Sequence, residues 1–139
     1  MLETLNVTRT IAIPSGKVWS AISSIGGLDR WFSVISDCRV EGAGAGATRI
    51  LTLADGAEMR DRVLEIDHDV RRFRYERTHS PFPVASYLGT VEVRDRDVLR
   101  AEVSWTVTLD VAPEAREQLV GILKDALSDG IGGLERDLR

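Results

Sequence analysis

The chain has 139 residues, of which 43% are hydrophobic and 29% are charged, and its formal net charge is −4. This length and composition are typical of a globular domain, so we expect residues 1–139 to form a single domain with a sizeable core. The acidic balance gives no reason to expect a general affinity for nucleic acid or anionic membranes. Cys38 is the only cysteine, which excludes an internal disulfide framework.

No segment predicts a signal peptide or a membrane span. The N-terminus lacks a basic region followed by a long apolar run. Nowhere do about 18 apolar residues follow one another, as a spanning helix would require. We therefore expect a cytoplasmic protein without integral membrane association.

The first part of the chain predicts one strand followed by two short helices. Residues 5–13 alternate between apolar and polar side chains, as in a half-buried strand. The Pro-Ser pair at 14–15 ends this strand and begins a helix over about 15–24. The Gly-Gly pair at 26–27 breaks the helix, and 28–35 is predicted as a second short helix.

The middle of the chain predicts a series of strands joined by turns. Short runs of alternating apolar and polar residues are separated by turns rich in Gly and Asp. The predicted strands cover 37–41, 47–54, 58–67, 71–78, 84–95 and 98–110. The turns between them include 42–46, 55–56, 67–70 and 95–97.

A long amphipathic helix is predicted from Pro113 to the C-terminus. Its apolar residues recur at helical spacing and are Leu119, Ile122, Leu123, Ala126, Leu127, Ile131, Leu134 and Leu138. Gly121, Gly130, Gly132 and Gly133 interrupt it, and each glycine weakens a helix by about 1 kcal/mol relative to Ala. Two interpretations are open: the glycines permit a close approach beneath the helix, or the helix kinks or breaks near Gly130.

Five segments carry a resemblance to a known family. They are Ile13–Trp19 with a Pro-x-x-x-Val-Trp helix start, Gly27–Trp31 with Gly-Leu-x-x-Trp, Gly44–Arg49, Asp61–Val63 and Tyr87–Gly89. With the order of elements, they resemble the polyketide cyclase/dehydrase branch of the START/Bet v 1-like (SRPBCC) superfamily. The resemblance implies an α+β helix-grip fold, in which a curved antiparallel sheet, two short helices and a long C-terminal helix enclose a cavity. It implies little about chemistry, because such proteins include carriers, hormone receptors and cyclases.

Strand alternation nominates the side chains of the cavity wall. If Trp105 and Val107 face the terminal helix, strand pairing brings the inward residues of the other strands to the same face. The predicted ligand-binding residues are Leu51, Leu53, Met59, Asp61, Val63, Phe73, Tyr75, Arg77, Phe82, Tyr87, Trp105, Val107, Leu123 and Leu127. Tyr75, Tyr87 and Trp105 have polar tips that suit a wet pocket, although a core with each tip satisfied locally is equally compatible.

Asp61 is the candidate catalytic residue. A carboxylate on an inward face is costly to bury without a partner, so it implies water, Arg77 or a polar ligand group nearby. With a raised pKa, Asp61 would act as a general base. The alternative is a structural ion pair with Arg77 or Arg49 at the cavity rim.

The loop around Phe82 is unusually apolar for a connection. Phe82 lies between two prolines, at Pro81 and Pro83. It is predicted either as a gate over the cavity mouth or as part of a rigid turn that plugs the end of the core.

Three other segments contain residue types found in cofactor, metal or nucleic-acid sites, but none has the surrounding structure that such a site requires. Residues 42–47 match a dinucleotide fingerprint, but a strand follows where that site requires a helix. The only histidines, His68 and His79, have no zinc-site spacing. Strand alternation separates Phe73, Tyr75 and Arg77 from the charged residues between them, so the outward face of 71–77 is only a modest charged strip. We expect no cofactor, no metal and no nucleic-acid partner.

Three functions are compatible with the sequence. The first is binding of a small hydrophobic or amphipathic molecule by a carrier, a sequestering protein or a sensor. The second is a cofactor-independent cyclase, aromatase or dehydratase, with Asp61 as the base and Tyr75, Tyr87 or Arg77 polarising a carbonyl. The third is an interaction module with a vestigial cavity. The sequence leaves the oligomeric state open.

Overall fold

The computed structural model describes residues 1–139, and its centre is a seven-stranded antiparallel sheet. The strands are β1 (Leu2–Ile11), β2 (Ile35–Glu41), β3 (Thr48–Leu53), β4 (Glu58–Asp67), β5 (Arg72–His79), β6 (Val84–Asp97) and β7 (Arg100–Val111). The helices are α1 (Ser15–Ser23), α2 (Leu28–Trp31) and α3 (Arg116–Leu138), with a 3-10 turn at Pro113–Ala115 before α3. No helix is both long and apolar enough to cross a membrane.

The strands follow one another across the sheet with a single exception. The order is β1-β7-β6-β5-β4-β3-β2, so β2 to β7 form a meander and β1 pairs with the last strand. Every second residue of β7, from Ala101 to Val111, is buried. This face of the sheet packs against the helices, and the predicted α+β helix-grip fold is confirmed.

Strand alternation predicted the inner face of the sheet correctly. Leu51 pairs with Met59, and Tyr75 pairs with Gly89. A Cβ atom at Gly89 would lie 2.2 Å from the Tyr75 ring, so any larger residue at position 89 would displace this ring. Register shifts in β4 occur near Arg60 and Val63 without reversing the inward direction of the Asp61 side chain, which is completely buried.

The terminal helix is continuous through its glycines, so a break near Gly130 is the wrong interpretation. A Cβ atom at Gly130 would lie 2.3 Å from the Phe32 ring. At Gly133 the distance to the carbonyl oxygen of Trp31 would be 2.0 Å. These two glycines permit the close approach of α3 to the segment after α2, which confirms the other interpretation.

Several predicted boundaries differ from the structure by a few residues; the first strand, for example, is Leu2–Ile11 rather than 5–13. The second helix ends at Trp31 rather than at residue 35, because Phe32 is extended (φ −99°, ψ 120°) and Ile35 already begins β2. The last turn lies at residues 98–99 rather than 95–97. Asp97 fixes this turn, because its carboxylate accepts hydrogen bonds from the backbone N–H of Leu99 and from Arg100.

Candidate ligand-binding cavity

A cavity of about 350 Å³ lies between the inner face of the sheet and α3. Its wall consists of 17 residues, of which 15 are hydrophobic. Small-molecule sites in proteins typically enclose roughly 300–1,000 Å³ and have mostly apolar walls with a few polar groups. The cavity therefore has the size and the lining of a site for a small, largely apolar molecule.

Most of the predicted ligand-binding residues lie on this wall. They are Leu53, Met59, Tyr75, Arg77, Phe82, Tyr87, Trp105, Leu123 and Leu127. They come from five strands, one loop and α3. Strand alternation predicted those of the sheet, helical spacing predicted those of α3, and the apolar composition of its loop predicted Phe82. Their role in binding a ligand stays a prediction.

The other predicted residues do not reach the cavity. They are Leu51, Asp61, Val63, Phe73 and Val107, and none is more than 1% exposed. Each side chain points inward as predicted, but the surrounding core closes over it. An inward direction on a strand thus does not by itself place a residue on the cavity wall.

Eight further residues lie on the wall and were not predicted as ligand-binding residues. The missed residues are Leu28, Phe32, Val34, Ile35, Ala54, Asp55, Ile122 and Ala126. The wall residues between 28 and 35 were missed because this segment was predicted as a helix. The chain is extended after Trp31, and it therefore directs different side chains inward. Ile122 and Ala126 belong to the predicted apolar stripe of the helix, beside Leu123 and Leu127, and that stripe was the available signal.

The cavity reaches the surface beside three exposed apolar side chains. Val34 is 52% exposed, Phe82 is 38% exposed and Ile122 is 48% exposed, and all three lie on its wall. The partial exposure of Phe82 favours the gate over the plug. Its action as a gate stays a prediction.

The inner part of the wall carries the polar side chains. Nε1 of Trp105 donates a hydrogen bond to the hydroxyl of Tyr75 over 3.1 Å. The guanidinium of Arg77 lies over the ring of Tyr87, 4.4 Å from its centroid. Burial raises the pKa of Tyr87 well above its ordinary value, and the neighbouring Tyr75 adds to this effect. Tyr87 therefore keeps its proton at neutral pH and is available as a hydrogen-bond donor.

Asp61 lies behind this wall in a buried cluster with two arginines. Nε and Nη2 of Arg49 donate to Oδ2 of Asp61 over 3.0 and 2.8 Å. Nε of Arg77 donates to Oδ1 over 2.8 Å. The side chains of Arg49, Asp61 and Arg77 are 3%, 0% and 9% exposed. Because β3, β4 and β5 pair in register here, the three charges face one another across adjacent strands.

The pKa of Asp61 is lowered, whereas the general-base alternative requires a raised pKa. Burial alone would raise the pKa of this carboxyl, but the charges of Arg77 and Arg49 outweigh burial and hold it below the ordinary value. Asp61 is an ionised partner of two arginines and does not line the cavity. The contacts favour the structural ion pair over the general base.

The two arginines differ in what they contact. Nη1 of Arg49 donates to the carbonyl oxygen of Ile25 over 3.0 Å, and its guanidinium lies 4.7 Å from the centroid of the Tyr75 ring. Ile25 has a φ of 74°, a conformation that β-branched residues rarely adopt, so this bond holds a strained position after α1. All three guanidinium nitrogens of Arg49 are thus hydrogen-bonded within the protein. Arg77, in contrast, also lies on the cavity wall.

Comparison with known proteins connects the chain to one family of sequences. The family model described as polyketide cyclase / dehydrase and lipid transport matches residues 3–139. Among curated proteins, no sequence matches this chain significantly.

Solved structures share the whole fold. A protein from Thermobifida fusca is 28% identical, with a TM-score of 0.84, over 97% of this chain and 92% of its own. An uncharacterised protein from Bacillus thuringiensis is 23% identical, with a TM-score of 0.87, over 98% of both chains. An aromatase/cyclase from Streptomyces sp. R1128 is 17% identical, with a TM-score of 0.84, over 99% of this chain and 94% of its own.

Proposed function

The chain belongs to the polyketide cyclase/dehydrase and lipid transport family, and on this basis we propose that it binds a small, largely apolar molecule in the cavity beneath α3. The observation that carries the proposal is the wall itself, in which 15 of 17 residues are hydrophobic. Moving apolar surface from water into such a site gains about 25 cal/mol per Å². The few polar groups, Tyr75, Arg77 and Tyr87 among them, would orient the ligand.

A cofactor-independent cyclase or dehydratase is the second candidate. Arg77 and Tyr87 are donors on the inner wall, where they would stabilise a developing enolate oxygen. A general base is harder to assign, because the only carboxylate on the wall is Asp55, which lies in the exposed turn between β3 and β4. We place ligand binding first for this reason.

The binding proposal is tested with a neutral fluorescent probe, N-phenyl-1-naphthylamine. We expect its fluorescence to rise on addition of the protein and to saturate at one probe per chain. Ala126 lies on the cavity wall, so Ala126→Phe would fill part of the cavity and weaken binding by roughly tenfold or more. Lys124 is exposed on the same helix, and Lys124→Phe is the matched control that should leave the affinity unchanged.

Two results would count against the proposal. Absence of saturable binding to the wild-type protein would contradict it directly. Equal affinity of the wild-type and Ala126→Phe proteins would place the probe outside the cavity. Native mass spectrometry of the purified protein, followed by denaturation, would separately identify any molecule that it carries.

A further inference from the structure

The buried cluster behind the cavity contains one more positive charge than negative charge. Arg49 and Arg77 both pair with Asp61, and neither forms an ion pair with any other residue. All three side chains are at least nine-tenths buried. A buried charge without a counter-charge is strongly destabilising, so an anion bound beside the excess cation would be stabilised.

The unused hydrogen-bonding capacity belongs to Arg77. Its Nε and Nη2 contact Asp61, over 2.8 and 3.4 Å, whereas Nη1 has no partner in the fold. Every fully buried side-chain nitrogen and oxygen does have a partner, so Nη1 is not sealed inside the core. Because Arg77 lines the cavity, its guanidinium is within reach of a molecule bound there.

A second donor lies beside this guanidinium. Arg77 lies over the ring of Tyr87, which is 7% exposed and whose hydroxyl lies near that of Tyr75. Tyr75 flanks the same guanidinium, with its ring centroid 5.8 Å away, and fixes the plane of the cation. The only negative side chain on the wall is Asp55, in an exposed turn. The inner wall is therefore a positive, hydrogen-bond-donating surface within an apolar cavity.

We propose that the ligand is an amphipathic monocarboxylate whose acid group contacts Nη1 of Arg77 and the hydroxyl of Tyr87. Its apolar body then fills the remainder of the cavity under α3. One negative charge neutralises the excess cation of the cluster, and charge-assisted hydrogen bonds are roughly twice as strong as neutral ones. This inference rests on the proposed function and narrows the class of ligand.

The test compares two probes of nearly equal shape, 2-naphthoate and 2-naphthamide, as competitors of N-phenyl-1-naphthylamine at neutral pH. An apolar wall alone favours the uncharged amide, because the carboxylate loses more hydration on binding. A preference for the anion therefore reports a positive group in the cavity. We expect the wild-type protein to bind 2-naphthoate roughly tenfold or more tightly than 2-naphthamide.

Two variants with the same change in net charge locate the positive group. Arg77→Met leaves Asp61 paired with Arg49 and makes the cluster neutral, so the ratio of the two affinities should fall to about one. Arg74 lies on the same strand, is not itself a residue of the wall and has no ion pair, so Arg74→Met should retain the wild-type ratio. Tyr87→Phe, which removes only a hydroxyl, should lower the ratio without abolishing it.

The possible outcomes separate this inference from the proposed function. If the neutral probe does not bind, the binding function itself fails. If the neutral probe binds but the wild-type protein does not distinguish naphthoate from naphthamide, the carboxylate inference is overturned and the binding function stands. Retention of the preference in Arg77→Met would also overturn the inference. If that variant does not fold, the wild-type ratio and Tyr87→Phe decide the question.

Discussion

Arg49 and Asp61 lie directly opposite each other on β3 and β4, and Nη2 of Arg49 donates to Oδ2 of Asp61 over 2.8 Å. Arg77 contacts the same carboxylate from β5. The three side chains are at least nine-tenths buried, so each charge depends on the others for its stabilisation. A shift of one residue in β4 would turn Asp61 to the outer face and leave both arginines buried without a counter-charge. The cluster therefore fixes the register of three neighbouring strands.

Replacement of Asp61 by asparagine should destabilise the protein strongly. Asp61→Asn leaves two buried guanidinium groups without a carboxylate, and breaking a buried pair in this way costs about 3–5 kcal/mol. Urea denaturation of the wild-type and variant proteins measures the difference in the free energy of unfolding. Asp69 is exposed in the turn after β4, so Asp69→Asn should change that free energy by no more than about 0.5 kcal/mol. Equal stability of the two variants would contradict a structural role for Asp61.

The cluster also predicts how stability depends on acid. The pKa of Asp61 in the folded protein is below its ordinary value of 3.8. At a pH between the folded pKa and the ordinary pKa of Asp61, the unfolded chain binds the proton more readily than the folded protein does. The free energy of unfolding therefore falls as the pH falls. The contribution of Asp61 is complete above its ordinary value and is lost as the pH drops through its folded value.

Acid denaturation of the wild-type protein and of Asp61→Asn measures this contribution. Urea unfolding from pH about 5 down to about 2 should show a steeper loss of stability in the wild-type protein. Other carboxyls, including those of Asp97 and Asp137, also have lowered pKa values, and both proteins share their effect. The difference between the two curves therefore isolates Asp61. Parallel curves would show that its proton affinity is the same in the folded and unfolded states.

Strand alternation predicted the buried faces but could not predict which buried residues line the cavity. A period of two residues assigns Asp61, Val63 and Tyr75 to the inner face equally. Only Tyr75 reaches the cavity, because the ends of α2 and the path of α3 determine where the core is filled. Those features depend on contacts between distant segments, such as Gly133 with Trp31, that no local pattern encodes. The ion pairs of Asp61 were predicted as alternatives because charge complementarity is visible in the sequence.

Two glycines of α3 should respond in opposite ways to replacement by alanine. Gly121 has open space where a Cβ atom would lie, so Gly121→Ala should stabilise the protein by about 0.5–1 kcal/mol through helix propensity. At Gly133 a Cβ atom would lie 2.0 Å from the backbone oxygen of Trp31, which cannot move without displacing α2. Gly133→Ala should therefore cost about 1–3 kcal/mol or more.

Thermal or urea unfolding of both glycine variants provides the measurement. Each variant adds one methyl group to the same helix, so the comparison separates helix propensity from packing. A stabilising effect of Gly133→Ala would mean that α3 does not approach the segment after α2 as closely as described. A destabilising effect of Gly121→Ala would indicate that this part of the helix is covered.

Trp105 is expected to contribute more to ligand affinity than any other single aromatic residue of the wall. It lines the cavity, donates to the hydroxyl of Tyr75 and packs edge to face against Phe32, with ring centroids 5.4 Å apart. Trp105→Ala should weaken the binding of N-phenyl-1-naphthylamine by roughly tenfold or more, and Trp105→Phe should weaken it less. Trp19 lies on α1, outside the cavity, where its Nε1 donates to Nδ1 of His68 over 3.0 Å. Trp19→Phe is the control, and its affinity for the probe should equal that of the wild-type protein. If Trp105→Ala retained wild-type affinity while Trp19→Phe lost it, the ligand site would lie near α1 rather than beneath α3.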